Sequence, residues 1–349
     1  MFKIERLNSR RPILEVVENN PWENKVVFNP ACVLVEDRDE IGEIIESIKP
    51  DKETLTEIQK HDAICFLIYR AQGRMTQNYD YRRSSLGLAI LSPDLNLIKR
   101  FPYPILKPEE KFEDLGVEDP RITKVGDRYY MFYTGYQSGK EKNKINICIA
   151  ETKDFVHWTK HGILKGRLNE VDNKNAVLFP EKINGKFVLL HRPMEGEGAM
   201  FIHYATSDNI LGEWNDEGVL FESISRSGFI KTWNGAGAPP LKVGEGKYVM
   251  IYHIGNLKMD GTREYDLGIA VIDEDRNRYI KFVKKFEPFM CPETEFETRG
   301  DPELGVNNVL FICGSYFYSD YLYFPYAGAD SVILGGRISK DEILRWALT

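Results

Sequence analysis

The run Gly126-Asp127-Arg128-Tyr129-Tyr130-Met131-Phe132-Tyr133 sets the architecture, together with Ile145-Asn146-Ile147-Cys148-Ile149-Ala150 and Asp154-Phe155-Val156-His157-Trp158 after it. A Gly-Asp turn opens this unit, an aromatic strand and an alternating strand follow, and a polar turn ends on an aromatic ring. Aromatic and β-branched residues fit a pleated, half-buried surface, and Gly, Asp and Asn punctuate it. The unit returns twice downstream. Gly185-Lys186-Phe187-Val188-Leu189-Leu190 leads through residues 200–205 to Asp208 and Trp214, and Gly246-Lys247-Tyr248-Val249-Met250-Ile251-Tyr252 leads to residues 267–272. Residues 63–69 with 86–91, and 321–324 with 332–334, supply two further copies.

Five copies predict an all-β fold, a five-bladed β-propeller. Two β-sandwich domains are the alternative, but no Pro/Ser/Gly-rich linker divides residues 1–349, so a single propeller domain is expected. Two segments depart from the strand pattern. Ile41, Ile44, Ile45, Ile48, Leu55 and Ile58 recur at helical spacing among charges, which predicts a helical insertion over about 37–60 inside the first blade. Ser339-Lys340-Asp341-Glu342 has the form of a capping box and predicts a short C-terminal helix. The amphipathic insertion needs a partner surface, either a second copy of the chain in a homo-oligomer or the rim of the site, as a lid.

A chain of 349 residues with 42% hydrophobic content buries a sizeable core. Its formal net charge of -7 disfavours a nucleic-acid partner and leaves a small molecule or glycan as the expected ligand. Cys32, Cys65, Cys148, Cys291 and Cys313 are odd in number and form no CxxC pair, so neither a disulfide framework nor a zinc site is expected. There is no HExxH, no His-x-His and no acidic calcium loop, hence no expected metal and no cofactor. Gly235-Ala236-Gly237-Ala238 lacks the βαβ context of a nucleotide site, and no Gly-x-Ser-x-Gly elbow occurs. Met1-Phe2-Lys3-Ile4-Glu5-Arg6 has no apolar signal stretch, which predicts a cytoplasmic protein with no membrane partner.

A propeller gathers one loop from each blade at the mouth of its channel, so polar segments distant in sequence converge there. Those segments are Tyr69-Arg70, Glu118-Asp119-Pro120-Arg121, His191-Arg192-Pro193, His253 and Asp330, with Asp172-Asn173-Lys174-Asn175 and Trp233-Asn234-Gly235 on connecting loops. The paired carboxyls Glu118 and Asp119 suit acid catalysis, because a neighbouring carboxylate on a fixed backbone holds a carboxyl pKa up. Among the aromatic residues, Trp233 alone looks associated with the site.

The chain resembles glycoside hydrolase family 130, the mannoside phosphorylases and β-mannosidases. The likeness rests on Val27-Phe28-Asn29-Pro30-Ala31, Tyr69-Arg70-Ala71, Gly116-Val117-Glu118-Asp119-Pro120-Arg121, residues 176–186, His191-Arg192, Gly235-Ala236-Gly237, Ile251-Tyr252-His253 and Tyr326-Ala327-Gly328-Ala329-Asp330. It implies a five-bladed propeller acting on mannose-containing oligosaccharides, with Asp119 as general acid of an inverting reaction. In this family the proton is thought to pass through a sugar hydroxyl. Asn29, Tyr69, Arg70, Glu118, Arg121, Trp233 and Asp330 would hold substrate. If inorganic phosphate is the co-substrate, Lys174, Asn175, Arg192 and His253 would bind it. Trp233-Asn234-Gly235 stands where phosphorylases carry a basic residue, and Ser331-Val332 alters the family's final pattern. Trp233 leans the expectation slightly towards hydrolysis, with Glu264 and Asp266 as candidate bases on the loop after His253, while the retained basic and amide-bearing positions keep phosphorolysis open. Phosphorolysis and a non-catalytic glycan-binding propeller are the alternatives.

Overall fold

The computed structural model describes residues 2–76, 83–224 and 227–349. It has five antiparallel sheets arranged as blades. Blade I is built from Val26–Val35, Ile64–Gln72, Ser85–Leu91 and Leu97–Arg100, and blade II from Gly116–Val125, Arg128–Gln137, Lys144–Thr152 and Thr159–Ile163. Blade III comprises Asn173–Leu178, Phe187–Pro193, Ile202–Ser207 and Asn215–Phe221. Blade IV comprises Phe229–Ala236, Lys247–Lys258, Arg263–Asp275 and Tyr279–Met290. Blade V takes Leu310–Ile312, Tyr321–Gly328 and Val332–Ser339 from the end of the chain, and its outermost strand is Glu5–Arg6. Glu5 pairs with Arg337 and Arg6 with Gly336, so the first strand clasps the last blade and closes the ring without a covalent bond.

The repeated unit of the sequence is therefore the second and third strands of a blade with the turn that leads into the fourth. The inner strand precedes it, and Glu118-Asp119-Pro120-Arg121 belongs to such a strand rather than to an entry turn.

Burial explains why these strands read as apolar runs. Each blade is covered on both faces by its neighbours, as in Ser85–Leu91, which is buried throughout. Five large apolar clusters fill the five junctions. Phe66 and Ile68 meet Met131 and Tyr133 between blades I and II, and Leu67 and Cys65 meet Tyr316 and Tyr323 where blade V returns to blade I. Four of the five cysteines are buried in these layers and none forms a disulfide.

The helical insertion is present as two helices, α1 (Arg38–Ile48) and α2 (Lys52–Ile58), each capped by an aspartate, Asp37 and Asp51. Lys49, in the left-handed region, and Pro50 divide them. Ile41, Ile44, Ile45 and Ile58 are buried against Val35, Tyr129 and Phe155, while Glu40 accepts a hydrogen bond from the Tyr129 hydroxyl. The partner surface is thus the junction of blades I and II. It lies at the end of the blades marked by the 126–127 turn, away from Asp119, so the insertion is not a lid over the site. A short helix α3 (Glu295–Thr298) does form a capping box, whereas at α4 (Lys340–Leu348) Ser339 makes no side-chain cap and Glu342 instead accepts from the Lys3 amide. No helix among the described residues is long and apolar enough to cross a membrane.

Candidate active site

Three inner strands share one irregularity. Their pairing slips between Phe28 and Ala31, between Glu118 and Arg121, and between Lys174 and Val177. At each slip one residue takes a positive φ: Asn29 at 46°, Asp119 at 51° and Asn175 at 59°. Asn and Asp tolerate this conformation better than other side chains, and a bulge re-aims a side chain out of the sheet. Proline follows Asn29 and Asp119, where the bulge leaves no ladder hydrogen bond for an amide to make. The bulges bring blades I and II together at one point, since Asn29 Nδ2 donates to Asp119 Oδ1 at 2.7 Å. On blade V, Asp330 also sits at positive φ, 49°.

Arg70 organises the carboxyls. Its Nη1 donates to Asp119 Oδ1 at 2.9 Å, its Nη2 pairs with Glu118, and its Nε donates to Ser84 Oγ at 2.8 Å, all above the Phe28 ring. Both Asn29 and Arg70 address Oδ1 of Asp119, which leaves Oδ2 for a ligand. Ser84 escaped the sequence reading because a lone serine at a strand edge carries no signal.

The sequence led us to expect that Glu118 would hold Asp119 protonated, but the cations here outweigh it. Burial pushes Asp119 up, yet the charges of Arg70, Arg121 and Lys174 and the Asn29 amide together hold it well below the usual carboxylate range. The raised acids are its neighbours. Burial lifts Asp330 to about 6 against the pull of Arg70, and burial also lifts Glu118 despite Arg70.

Next to the carboxyls lies a group of cations and polar atoms, several of them without a hydrogen-bond partner. Lys174 and Arg192 are direct cross-strand partners on blade III, a pairing of like charges that costs stability. Burial and then Arg192 depress Lys174 to about 8. Arg192 Nε and Nη1, both amide atoms of Asn175 and His253 Nδ1 are buried without a hydrogen-bond partner. Gly235 makes room for this group: a Cβ there would lie 2.2 Å from Asn175 Nδ2 and 3.0 Å from Arg192 Nη1. The His253 ring stacks on Phe311 at 3.7 Å, and its Nε2 meets the Ile312 backbone. Burial, then Arg121, keeps this imidazole neutral, its pKa far below the usual value.

Five expected residues are placed differently. Alternation along Ile64–Gln72 sends Arg70 to the channel and Tyr69 to the opposite face, where its hydroxyl donates to Glu23 at 2.7 Å and accepts from Arg100. Arg121 is spent on main chain: Nη1 donates to Asp119 O at 2.9 Å and Nε to Gly237 O at 3.0 Å, bracing blade II against blade IV. Trp233 is in the inner strand of blade IV rather than a loop. It is 3% exposed, packs on Gly255 and meets Tyr265 edge-on at 5.6 Å. Glu264 and Asp266 belong to the strand Arg263–Asp275 rather than a loop. Glu264 is ion-paired with Lys258 on the rim of a cleft of about 690 Å³ that reaches Asp330, and Asp266 accepts from Asn256.

The arrangement is a carboxyl cluster beside two cations and a set of buried, unpartnered polar atoms. A family model described as β-1,4-mannooligosaccharide phosphorylase matches residues 64–348. The chain is 33% identical to the 1,2-β-oligomannan phosphorylase of Thermoanaerobacter sp. (strain X514), over 95% of this chain and 96% of that one. It is 32% identical to the β-1,2-mannobiose phosphorylase of the same strain, over 98% and 99%. The β-1,2-mannobiose complex of the Listeria innocua β-1,2-mannobiose phosphorylase shares the fold, with a TM-score of 0.76 at 20% identity and 99% coverage of both chains. The chain is a member of glycoside hydrolase family 130, enzymes that cleave β-mannosidic linkages.

Proposed function

We propose that the protein is an inverting β-mannoside phosphorylase that transfers a terminal mannosyl unit of a β-1,2-linked mannooligosaccharide to inorganic phosphate. The observation that carries this reading is the directly opposed pair Lys174 and Arg192, of which Arg192 is buried, with the partnerless groups of Asn175 and His253 beside it. A like-charge pair away from bulk water is costly, and a phosphate dianion offsets that cost while accepting hydrogen bonds from the free N–H groups of Arg192. Both end-to-end relatives are named as phosphorylases acting on β-1,2 linkages. The hydrolytic preference rested on Trp233, Glu264 and Asp266. Trp233 is a packed strand residue, and the two carboxylates are held by Lys258 and Asn256.

In the reaction, Asn29, Arg70, Glu118 and Asp330 hold the mannosyl ring, and the cleft beside Asp330 receives the leaving sugar. Asp119 Oδ2 faces the ring hydroxyl that relays a proton to the bridging oxygen. Phosphate attacks C1 from the side of Lys174 and Arg192, giving α-mannose 1-phosphate. Its arrival also prepares the acid: negative charge on the cations that depress Asp119 raises that carboxyl towards a pKa at which it carries a proton. Initial rates on β-1,2-mannobiose test the proposal. Turnover is expected to saturate with phosphate and to fall by roughly 10²–10⁴ in Asp119→Asn. Release of free mannose at an undiminished rate without phosphate would contradict it.

A further inference from the structure

Blade III carries a second cluster outside the channel. His191, His203 and Asp216 stand on its second, third and fourth strands, and His191 and His203 are register partners. His191 Nε2 and His203 Nδ1 each lie 3.4 Å from Asp216 Oδ1. Successive strands supply the three groups at separations of 12 and 13 residues, a spacing that matches no metal motif and so left no trace in the sequence.

The hydrogen bonds around the cluster assign its lone pairs. His203 Nε2 is 2.9 Å from the carbonyl of Gly198, which only accepts, so this nitrogen carries the hydrogen and Nδ1 turns inward. Asn173 Nδ2 donates to Leu168 O at 2.9 Å, which fixes the amide and leaves its Oδ1 3.3 Å from His191 Nδ1. With Nδ1–H donating there, His191 Nε2 also presents a lone pair inward. That atom is buried with no hydrogen-bond partner, in a side chain about 1% exposed. Two imidazole lone pairs then converge on Asp216 Oδ1, which also accepts from the Gly218 amide at 2.8 Å and keeps a second lone pair for a ligand bond. A backbone carbonyl and an amide oxygen behind the two rings are the partners that orient metal-bound histidines. The two nitrogen-to-oxygen spacings of 3.4 Å equal the edge of a tetrahedron whose bonds are about 2.1 Å, and all three atoms lie within 4.8 Å of one another.

We propose that His191 Nε2, His203 Nδ1 and Asp216 Oδ1 form a binding site for a divalent transition metal of the Zn²⁺ type. Two nitrogens and one oxygen suit zinc or cobalt rather than magnesium or calcium. Asp216 is 38% exposed, so water reaches the fourth position. His191 precedes Arg192, and alternation puts the two on opposite faces of the strand. The metal site would stand behind the anion pocket and tie together the three strands that support it.

Protein stripped with a chelator and then dialysed against zinc chloride tests the proposal, with Asp216→Asn and His203→Gln as variants. The wild type is expected to hold one equivalent more zinc than either variant, to bind it at least tenfold more tightly, and to melt higher when it is added. Cobalt substituted for zinc should give the intense visible bands of tetrahedral Co²⁺ in the wild type only. Zinc-free melting curves show whether the variants are folded. The competing arrangement has Asn173 Nδ2, 3.0 Å from His191 Nδ1, donating to it, so that Nε2–H serves Asp216 and no metal is required. Equal zinc uptake by all three proteins, or none by the wild type, would overturn the proposal in favour of that arrangement.

Discussion

Replacing Arg192 by methionine should weaken phosphate binding and strengthen the fold at the same time. Arg192 Nε and Nη1 are buried and unpartnered, so each is free to make a charge-assisted hydrogen bond to phosphate. Such bonds contribute about 1.5–3 kcal/mol each, and losing two costs about 3 kcal/mol or more, roughly a hundredfold in phosphate KM or kcat/KM. Stability moves the other way. Arg192 faces Lys174 across the ladder, where cross-strand Cβ atoms lie roughly 5 Å apart, and like charges at about that separation in an effective dielectric constant of about 20 repel by about 3 kcal/mol, part of which Asp119 offsets. Methionine keeps most of the apolar stem and removes the charge, so the phosphate-free variant should melt a few degrees higher. Added phosphate should raise the melting temperature of the wild type far more than that of the variant. The assays are initial rates across a phosphate series and thermal melts with and without phosphate. A variant that melts below the wild type and keeps its phosphate KM refutes the reasoning.

Three further outcomes follow from particular contacts. The Asp330 pKa is raised to about 6 in the folded state, so this residue favours folding fully only below its unfolded value of about 3.8, and that contribution is lost as pH rises through 6. Asp330→Asn should therefore out-melt the wild type at pH 8, by ~2 kcal/mol or less, with the difference vanishing below pH ~4 in a melting series across pH. Tyr69→Phe should leave kcat and both KM values unchanged and cost about 1–2 kcal/mol in denaturant unfolding, because it takes a donor from the buried Glu23. Glu264→Gln should leave kcat within roughly threefold of the wild type in steady-state assays, whereas loss of a catalytic base costs roughly 10² or more.

Much of the fold was legible because a propeller repeats itself. Residues 128–133, 187–190 and 247–252 each announce the second strand of a blade, and the isoleucine spacing over 41–58 marked the insertion. The inner strands were harder to read. They are interrupted at the site by bulges, so Asn29-Pro30 and Asp119-Pro120 look like turns although both lie within strands. The clasp of Glu5–Arg6 onto blade V leaves no local sign, since a two-residue strand has no period. Within the site, residue types pointed to Asp119, Arg70, Lys174 and Arg192. What they could not give was direction. Tyr69 and Arg70 are adjacent but face opposite ways, and Arg121, Trp233 and Glu264 are occupied by partners that only the folded ring supplies.

Phosphorus NMR of the purified protein with β-1,2-mannobiose and inorganic phosphate tests phosphorolysis most directly. The expected products are α-mannose 1-phosphate and mannose in equimolar amounts, with no turnover when phosphate is left out. Free mannose as the sole product, with the inorganic phosphate signal unchanged, would contradict it.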